Sequence, residues 1–135
     1  MRIWRLMAVS VDEGTAYVSC AGIGGVGAAP FTPDFNGRLV GLRTVPSGAA
    51  ATSLLRHMEF RLGCAAWSPN TIEVGVQGSG IETALFQPNT PMDWSVDQPV
   101  VAGTPITVES RNVTVATPIT VECPIYGCFE VAPVR

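Results

Sequence analysis

The C-terminal stretch from Val113 to Val131 constrains the fold more than any other part of the chain, because its side chains alternate in character. Most of its large apolar residues fall on odd positions, while its glutamates and most of its threonines fall on even positions. Successive side chains of a β-strand point to opposite faces of the sheet. β-Branched Val, Ile and Thr also suit a pleated, half-buried surface. The sequence therefore predicts a long strand with one buried face.

A repeated hexapeptide indicates how this strand is paired. Thr-Pro-Ile-Thr-Val-Glu occurs at Thr104–Glu109 and again at Thr117–Glu122. Ser110-Arg111-Asn112 interrupts the alternation between the two copies, where a hairpin needs its turn. We therefore predict a hairpin whose second strand is unusually long, with a bend or bulge at Pro124 and Gly127.

Short apolar or alternating segments, separated by turn residues, recur about every ten residues along the rest of the chain. This spacing predicts an all-β fold, an antiparallel sandwich or barrel of about eight or nine strands, with residues 1–135 as one domain. Residues 1–11 form either an N-terminal arm or the first strand, and Ala49–Leu55 could instead form a helical turn. Residues 22–36, rich in Gly and Pro, are expected to form a long loop. The further predicted strands are Ile3–Val11, Thr15–Ala21, Leu39–Val45, Leu54–Leu62, Thr71–Val76, Ile81–Phe86 and Trp94–Val101.

Charge is scarce in this chain. Hydrophobic residues make up 47% and charged residues 14% of the sequence, and the net charge is −3 at pH 7. Because globular proteins average about 25% charged residues, we expect apolar surface that is covered by other subunits; a compact monomer with a Thr- and Ser-rich surface is the alternative. The 8 basic residues are all Arg and are scattered, which argues against a dedicated nucleic-acid-binding surface. We also expect no secretory signal and no membrane span.

The 4 cysteines are too few to indicate a disulfide scaffold. Cys123 and Cys128 have opposite parity and would lie about 16 Å apart in an extended strand, far beyond disulfide reach. We expect all of the cysteines to be small buried hydrophobes, while a bridge between Cys20 and Cys64 stays an open alternative.

The sequence Gly22-Ile23-Gly24-Gly25-Val26-Gly27 fits the G-x-G-x-x-G pattern of dinucleotide-binding folds. In those folds the glycines let a pyrophosphate approach the N-terminus of a helix. Pro30 and Pro33 fall where the first turns of that helix would be, and no acidic residue follows about twenty positions on. We therefore interpret the glycines as part of a loop and predict no cofactor.

No arrangement of residues favours catalysis or metal binding. His57, the sole histidine, has Glu59 as its one close potential co-ligand, whereas a structural zinc site needs four ligands. Gly78-Ser79-Gly80 lacks the frame of a nucleophile elbow. The sequence thus predicts no enzymatic activity and no catalytic, cofactor-binding or metal-binding residues. The acidic residues that could pair as catalytic carboxylates, although most such groups are solvated, are Glu82, Asp93 and Asp97.

Several aromatic residues could form a sugar-binding platform, which supports an alternative function as a glycan- or ligand-binding β-sandwich module. Aromatic residues are only 7% of the chain, however, and positions in the core or at a subunit interface explain most of them more simply. The residues concerned are Trp4, Phe31, Phe35, Trp67, Trp94 and Tyr126.

Three segments, taken together, resemble small viral coat proteins. These segments are Gly48–Gly63, Asn70–Ala84 and Val96–Glu122, and the likeness consists of strand rhythm, small-residue turns and a Thr- and Val-rich final hairpin. More closely, the chain from Gly37 to Val131 resembles the single jelly-roll capsid or capsid-decoration proteins of icosahedral bacterial and archaeal viruses.

The resemblance implies a jelly-roll sandwich of two antiparallel sheets with no catalytic residue. It implies a structural virion protein (a coat, minor capsid or decoration protein) that packs against copies of itself and other capsid proteins in a virion assembled in the host cytoplasm. Residues Arg2, Ile3, Trp4 and Arg5 would form an arm that reaches a neighbouring subunit. A chain of 135 residues suits a single-barrel, minor or decoration protein better than a double-barrel major coat protein.

Overall fold

The computed structural model describes residues 1–10, 16–20, 30–44, 58–74, 92–112 and 123–133. These residues contain eight β-strands and no helix, so the predicted all-β fold of about eight strands is confirmed. The strands are β1 (Arg2–Ser10), β2 (Val18–Ser19), β3 (Gly37–Thr44), β4 (Met58–Cys64), β5 (Thr71–Val74), β6 (Met92–Val100), β7 (Ile106–Asn112) and β8 (Cys123–Val131).

The eight strands form two four-stranded antiparallel sheets. The first sheet has the order β1-β8-β3-β6, and the second sheet has the order β2-β7-β4-β5. β1 pairs with β8, β2 with β7, β3 with β6 and β4 with β5, so the chain folds as four antiparallel pairs wound together. This winding in a double-sheet sandwich is the jelly roll, and the predicted jelly-roll type of fold is confirmed.

The prediction of a C-terminal hairpin is wrong. Ser110, Arg111 and Asn112, expected to form its turn, lie inside β7 and pair with β4 in the second sheet. β8 lies in the first sheet, between β1 and β3. Consecutive strands of a jelly roll mostly cross between the sheets, and among the described strands only β4 and β5 are neighbours both in sequence and in a sheet. Strand pairing and the burial of Ser110 therefore outweigh the turn preference of this tripeptide.

The alternation predicted for the last strand is confirmed in its described part. Ile125 and Phe129 are fully buried between the sheets. The structure places the irregularities of this region in the strands beside β8 and not at Pro124 or Gly127, because β8 keeps consecutive pairing while its neighbours each accommodate an extra residue.

These bulges explain why neighbouring residues can both face the core. The register of β1 against β8 shifts between Leu6 and Ala8, and the intervening Met7 is buried together with Ala8. A second shift, between Leu39 and Gly41 of β3, changes which parity points inward. A bulge adds one residue to one strand only, so the simple alternation of faces is interrupted there.

Most of the remaining predicted strands agree with the structure within its described residues, but the predicted strand Thr15–Ala21 is shorter there: β2 covers Val18–Ser19, and Ala16, Tyr17 and Cys20 lie outside it. Residues 2–10 pair with β8 of the same chain and so form the first strand, which is one of the two alternatives for the N-terminus. The turn predicted at Trp67–Asn70 lies between β4 and β5. Phe31, in the predicted long loop, forms an isolated bridge with Ile106. The predictions for residues 21–29, Ala49–Leu55 and Ile81–Phe86 lie outside the described residues.

Aromatic side chains from different segments fill the core. Phe129 contacts Phe31 at a ring-centre distance of 5.5 Å and Phe35 at 5.2 Å, closing one part of the sandwich. Phe60 of the second sheet meets Trp94 of the first sheet edge-on at 5.7 Å. Burial of such a side chain contributes about 1.5–3 kcal/mol to folding. These rings pack among the buried aliphatic side chains of both sheets, and the contact of Phe60 with Trp94 joins the sheets directly.

The described part of the chain includes no helix of sufficient length and hydropathy to cross a membrane.

Candidate functional site

The outer face of the first sheet is crossed by ion pairs between neighbouring strands. Side chains at opposite positions of antiparallel strands lie close together, so each arginine finds its partner across the sheet. Their exposure keeps them well solvated, and such pairs contribute little to stability individually. The pairs are Arg2–Glu130 at 3.2 Å, Arg38–Asp97 at 2.6 Å and Arg43–Asp93 at 2.7 Å.

Arg43 connects one of these pairs to an exposed tryptophan. It donates hydrogen bonds from Nε to Asp93 Oδ1 at 2.7 Å and from Nη2 to Asp93 Oδ2 at 2.9 Å. The hydrogen bond from Arg43 lowers the pKa of Asp93, and the same bond raises the pKa of Arg43. The guanidinium carbon also lies 4.5 Å from the ring centre of Trp4, in a cation–π contact. A bidentate pair thus fixes one neighbour of the Trp4 ring.

Trp4 borders a cleft of about 210 Å³ on this face, which we call the Trp4 cleft. The register places Trp4 opposite Cys128, Cys128 opposite Gly41, and Gly41 opposite Ser95. Small side chains at these positions leave the floor of the cleft low. Trp4 itself is 46% exposed. The residues that line the cleft include Arg2, Trp4, Gly41, Asp93, Ser95 and Cys128.

A second cavity, of about 380 Å³, lies where β1 meets the segment before β3. Phe31 and Phe35 line it, and both rings pack on the buried Phe129. Its polar groups come from Arg5, Thr32 and Asp34, and no ion pair or side-chain hydrogen bond between these three is observed in the described structure. This cavity is therefore an apolar recess beside the core with polar groups at its border.

The outer face of the second sheet carries a different cluster around Tyr17. Arg61 donates to both carboxylate oxygens of Glu109, at 2.9 Å and 3.1 Å, and hydrogen bonding to this carboxylate raises the pKa of Arg61. The guanidinium groups of Arg61 and Arg111 lie 4.2 Å and 4.6 Å from the Tyr17 ring centre. Arg61 belongs to β4 and Arg111 belongs to β7. Their contacts with the Tyr17 ring therefore connect these two strands to the segment before β2.

One end of the first sheet is lined by exposed side chains without ionisable groups, and we call it the apolar end. Backbone hydrogen bonds hold it together: Val131 N donates to Met1 O at 2.8 Å, and Ala132 N donates to Asn36 O at 2.8 Å. The side chain of Asn36 accepts a third hydrogen bond, from Ala102 N at 2.9 Å. The residues of the apolar end are Met1, Val101, Ala102, Ala132 and Pro133, of which Met1 is 84% and Val101 43% exposed.

The structure does not bring the six aromatic candidates together as the platform that was the alternative to core and interface positions. Trp67 is buried, and its Nε1 donates a hydrogen bond to Pro99 O at 2.7 Å. Trp94 packs on Phe60, and the two candidate phenylalanines contact Phe129 in the core. Tyr126 is half-buried. Of the six aromatic candidates, only Trp4 is an exposed large hydrophobic residue.

The two described acidic candidates form ion pairs with different arginines. Asp93 and Asp97 each bind a different arginine, so the structure does not bring them together as a carboxylate pair. Within the described residues no group of three metal-ligating side chains is found. The candidates Gly22–Gly27, His57, Gly78-Ser79-Gly80 and Glu82 lie outside the described residues, as does the side chain of Glu59.

The cysteines behave largely as expected. Cys20, Cys64 and Cys128 are buried thiols that form no disulfide, so the alternative of a Cys20–Cys64 bridge is not realised. Cys20 Sγ instead lies 3.5 Å from Ser110 Oγ. The side chain of Cys123 is not among those that the structure describes.

Sequence reasoning missed the residues that shape the Trp4 cleft. Arg43 and Asp93 are 50 positions apart, and neither stands in a motif. Gly41 lies in a predicted strand, and nothing in the local sequence indicates that its missing side chain makes room for a cleft. In β1, apolar residues occur at both odd and even positions, so the sequence contained no signal that Trp4 would be exposed.

Comparison with known proteins assigns no family. No protein-family model matches the sequence, and no curated protein matches it significantly. A solved structure of SGBP-B from a complex xyloglucan utilization locus in Bacteroides uniformis is similar over 98% of this chain, with 10% sequence identity and a TM-score of 0.41. The matched region spans 39% of that chain. A similarity this weak assigns neither fold nor function.

Proposed function

We propose that this protein is a structural virion protein, a coat, minor capsid or decoration protein, that acts by packing against copies of itself and other capsid proteins. Its place of action is the virion, assembled in the host cytoplasm, and it acts without enzymatic turnover. The jelly-roll strand order is compatible with this role, since viral capsid domains use it, but lectin domains use the same fold. The fold alone therefore does not decide the function.

The observation that carries the proposal is the apolar end. Its side chains come from three separate segments, yet hydrogen bonds that pass through Asn36 hold these segments together at one end of the first sheet. Exposed apolar groups gathered at one place gain free energy when a second surface removes them from water. The two largest exposed side chains there are Met1 and Val101.

The pairing of charges supports the same conclusion. On the outer faces of both sheets, four arginines are bound to carboxylates of the same chain: Arg2, Arg38, Arg43 and Arg61. Paired in this way, they present little uncompensated charge to a neighbouring copy or to the phosphates of a nucleic acid. Contact between subunits would then rest on apolar surface more than on charge.

Charged substitution at the apolar end provides the test. Val101→Asp places a carboxylate where a neighbouring copy is proposed to dock, and an unpaired charge in an interface is strongly unfavourable. We expect purified wild-type protein to sediment as an oligomer and Val101→Asp to sediment as a monomer. Electron microscopy of the wild-type protein, produced together with its neighbouring virion components, should show it incorporated in particles.

Val18→Asp is the matched control, because Val18 is 39% exposed but lies on β2 of the second sheet, away from the apolar end. We expect this variant to sediment like the wild type. Equal loss of association in both variants would contradict docking through the apolar end, and a monomeric wild type would contradict the structural function itself.

A further inference from the structure

The Trp4 cleft places an exposed aromatic ring beside fixed polar groups on the outer face of the first sheet. From this arrangement we infer that the cleft binds one ring of a neutral saccharide, with an apolar C–H face of the sugar against the indole and its hydroxyl groups on Asp93, Ser95 and Arg2. The inference does not depend on self-association, since the cleft lies on a sheet face and is formed within one copy of the chain.

The tryptophan is held in place before any ligand arrives. Arg43 is fixed by two hydrogen bonds to Asp93 and stacks on the Trp4 ring at 4.5 Å. Trp4 still exposes 46% of its surface, and part of that surface lines the cleft. A ring ordered in advance loses little conformational entropy on binding, which favours a ligand that needs a flat apolar surface.

The floor of the cleft is low because its residues are small. Gly41 and Cys128 face each other across β3 and β8, and Ser95 continues the row on β6. A β-carbon added to Gly41 would lie 3.5 Å from Cys128 Cβ and 3.6 Å from Trp94 O, which is ordinary contact distance. Nothing in the packing therefore forbids a side chain here, and its absence leaves room above the floor for a ligand.

The charge around the cleft selects the chemical class of the ligand. Arg2 and Arg43 are positive, Asp93 and Glu130 are negative, and each arginine is bound to one of the carboxylates. The formal charges cancel, so neither an anion nor a cation gains a net attraction. The cleft contains an apolar ring face together with hydrogen-bond donors and acceptors. This combination is suited to an uncharged ring that carries several hydroxyl groups.

The size of the cleft limits the ligand further. Its volume is about 210 Å³, below the roughly 300–1,000 Å³ of sites for drug-sized molecules. A single sugar ring, either free or as one residue of a longer chain that continues along the open sheet face, is of suitable size. Weak binding of a single ring, with a Kd of about 1 mM, is expected from one aromatic contact and a few hydrogen bonds.

Saturation-transfer NMR and isothermal titration with methyl glycosides of neutral hexoses and pentoses test this inference. At least one glycoside should bind the wild type saturably, and Trp4→Ala should weaken that binding about tenfold or more. Trp4→Phe should retain part of the affinity because it keeps an aromatic face. Uronic acid glycosides should bind no better than the neutral ones.

Gly41→Ala provides a second variant that keeps the tryptophan and raises the floor of the cleft by one methyl group. We expect it to fold normally and to bind the same glycoside more weakly. Val18→Ala, at an exposed position on β2 of the second sheet, should leave binding unchanged. The inference is overturned if no glycoside binds the wild type, or if Trp4→Ala and Gly41→Ala both bind the glycoside as tightly as the wild type does, whether or not the protein associates with itself.

Discussion

The sulfur of Met7 lies where a side chain on Gly127 would have to begin. A β-carbon at Gly127 would come within 2.6 Å of Met7 Sδ and 2.8 Å of Phe129 Cε2. Met7 is the extra residue of the β1 bulge and is almost fully buried, so the glycine of β8 makes room for a core side chain that the bulge turns inward. The two irregular features, a bulge and a glycine, are thus complementary.

Gly127→Ala should therefore destabilise the protein through overpacking. The added methyl group must displace Met7 or the ring of Phe129, and both are buried in the core. Overpacking of this kind costs about 1–3 kcal/mol. Urea unfolding followed by fluorescence measures the loss, and an unchanged unfolding midpoint would show that Met7 does not occupy this space.

Two glycines of β3 should respond in opposite ways to the same substitution. A β-carbon at Gly37 would overlap the carbonyl oxygen of Glu130, which belongs to the backbone and cannot rotate away. We expect Gly37→Ala to cost about 3 kcal/mol or more, whereas Gly41→Ala, with only ordinary contacts, should change stability by less than about 1 kcal/mol. Similar unfolding midpoints for the two variants would contradict the close approach of β3 to β8 at Gly37.

The indole of Trp67 should contribute to stability through its hydrogen bond as well as its volume. Trp67→Phe keeps an aromatic ring but leaves the carbonyl oxygen of Pro99 without its 2.7 Å donor. An unsatisfied buried acceptor costs about 1–3 kcal/mol, and this hydrogen bond is partly buried, so its loss should lower the free energy of unfolding by up to that amount. Trp4→Phe, at an exposed position, should change it far less. Equal effects in the two variants would be inconsistent with this hydrogen bond.

At acidic pH, Asp93 should contribute less to the stability of the folded protein. Its pKa is lowered in the folded protein by the hydrogen bond from Arg43, so its stabilising effect is present above the unfolded-state pKa of about 3.9 and is lost as the pH falls through the folded-state pKa. Asp93→Asn should be less stable than the wild type at neutral pH, and the difference should shrink below about pH 4. Chemical unfolding at both pH values measures it. A difference that stays constant with pH would exclude this linkage.

The fold class could be predicted from local patterns because each strand carries its own signal. The alternation around Ile125 and Phe129 identified a buried face, and turn residues at Trp67–Asn70 separated two strands correctly. These signals lie within a few residues of one another, and β-strand periodicity is a local property.

Strand pairing could not be predicted in the same way. Ser110 to Asn112 has the composition of a turn, yet in the structure these residues pair with β4, which is about fifty positions earlier in the chain. The Trp4 cleft depends on similarly distant partners, since Arg43 meets Asp93 across the sheet. The repeated hexapeptide pointed towards a local hairpin because local pairing is the commoner arrangement.

Light scattering of the purified wild-type protein over a dilution series tests the central claim most directly. If exposed apolar residues of the apolar end are covered by other copies, the molar mass should be a multiple of the 14.2 kDa chain mass and should fall towards it on dilution or in Val101→Asp. A molar mass equal to that of one chain, at every concentration up to high micromolar, would contradict the claim.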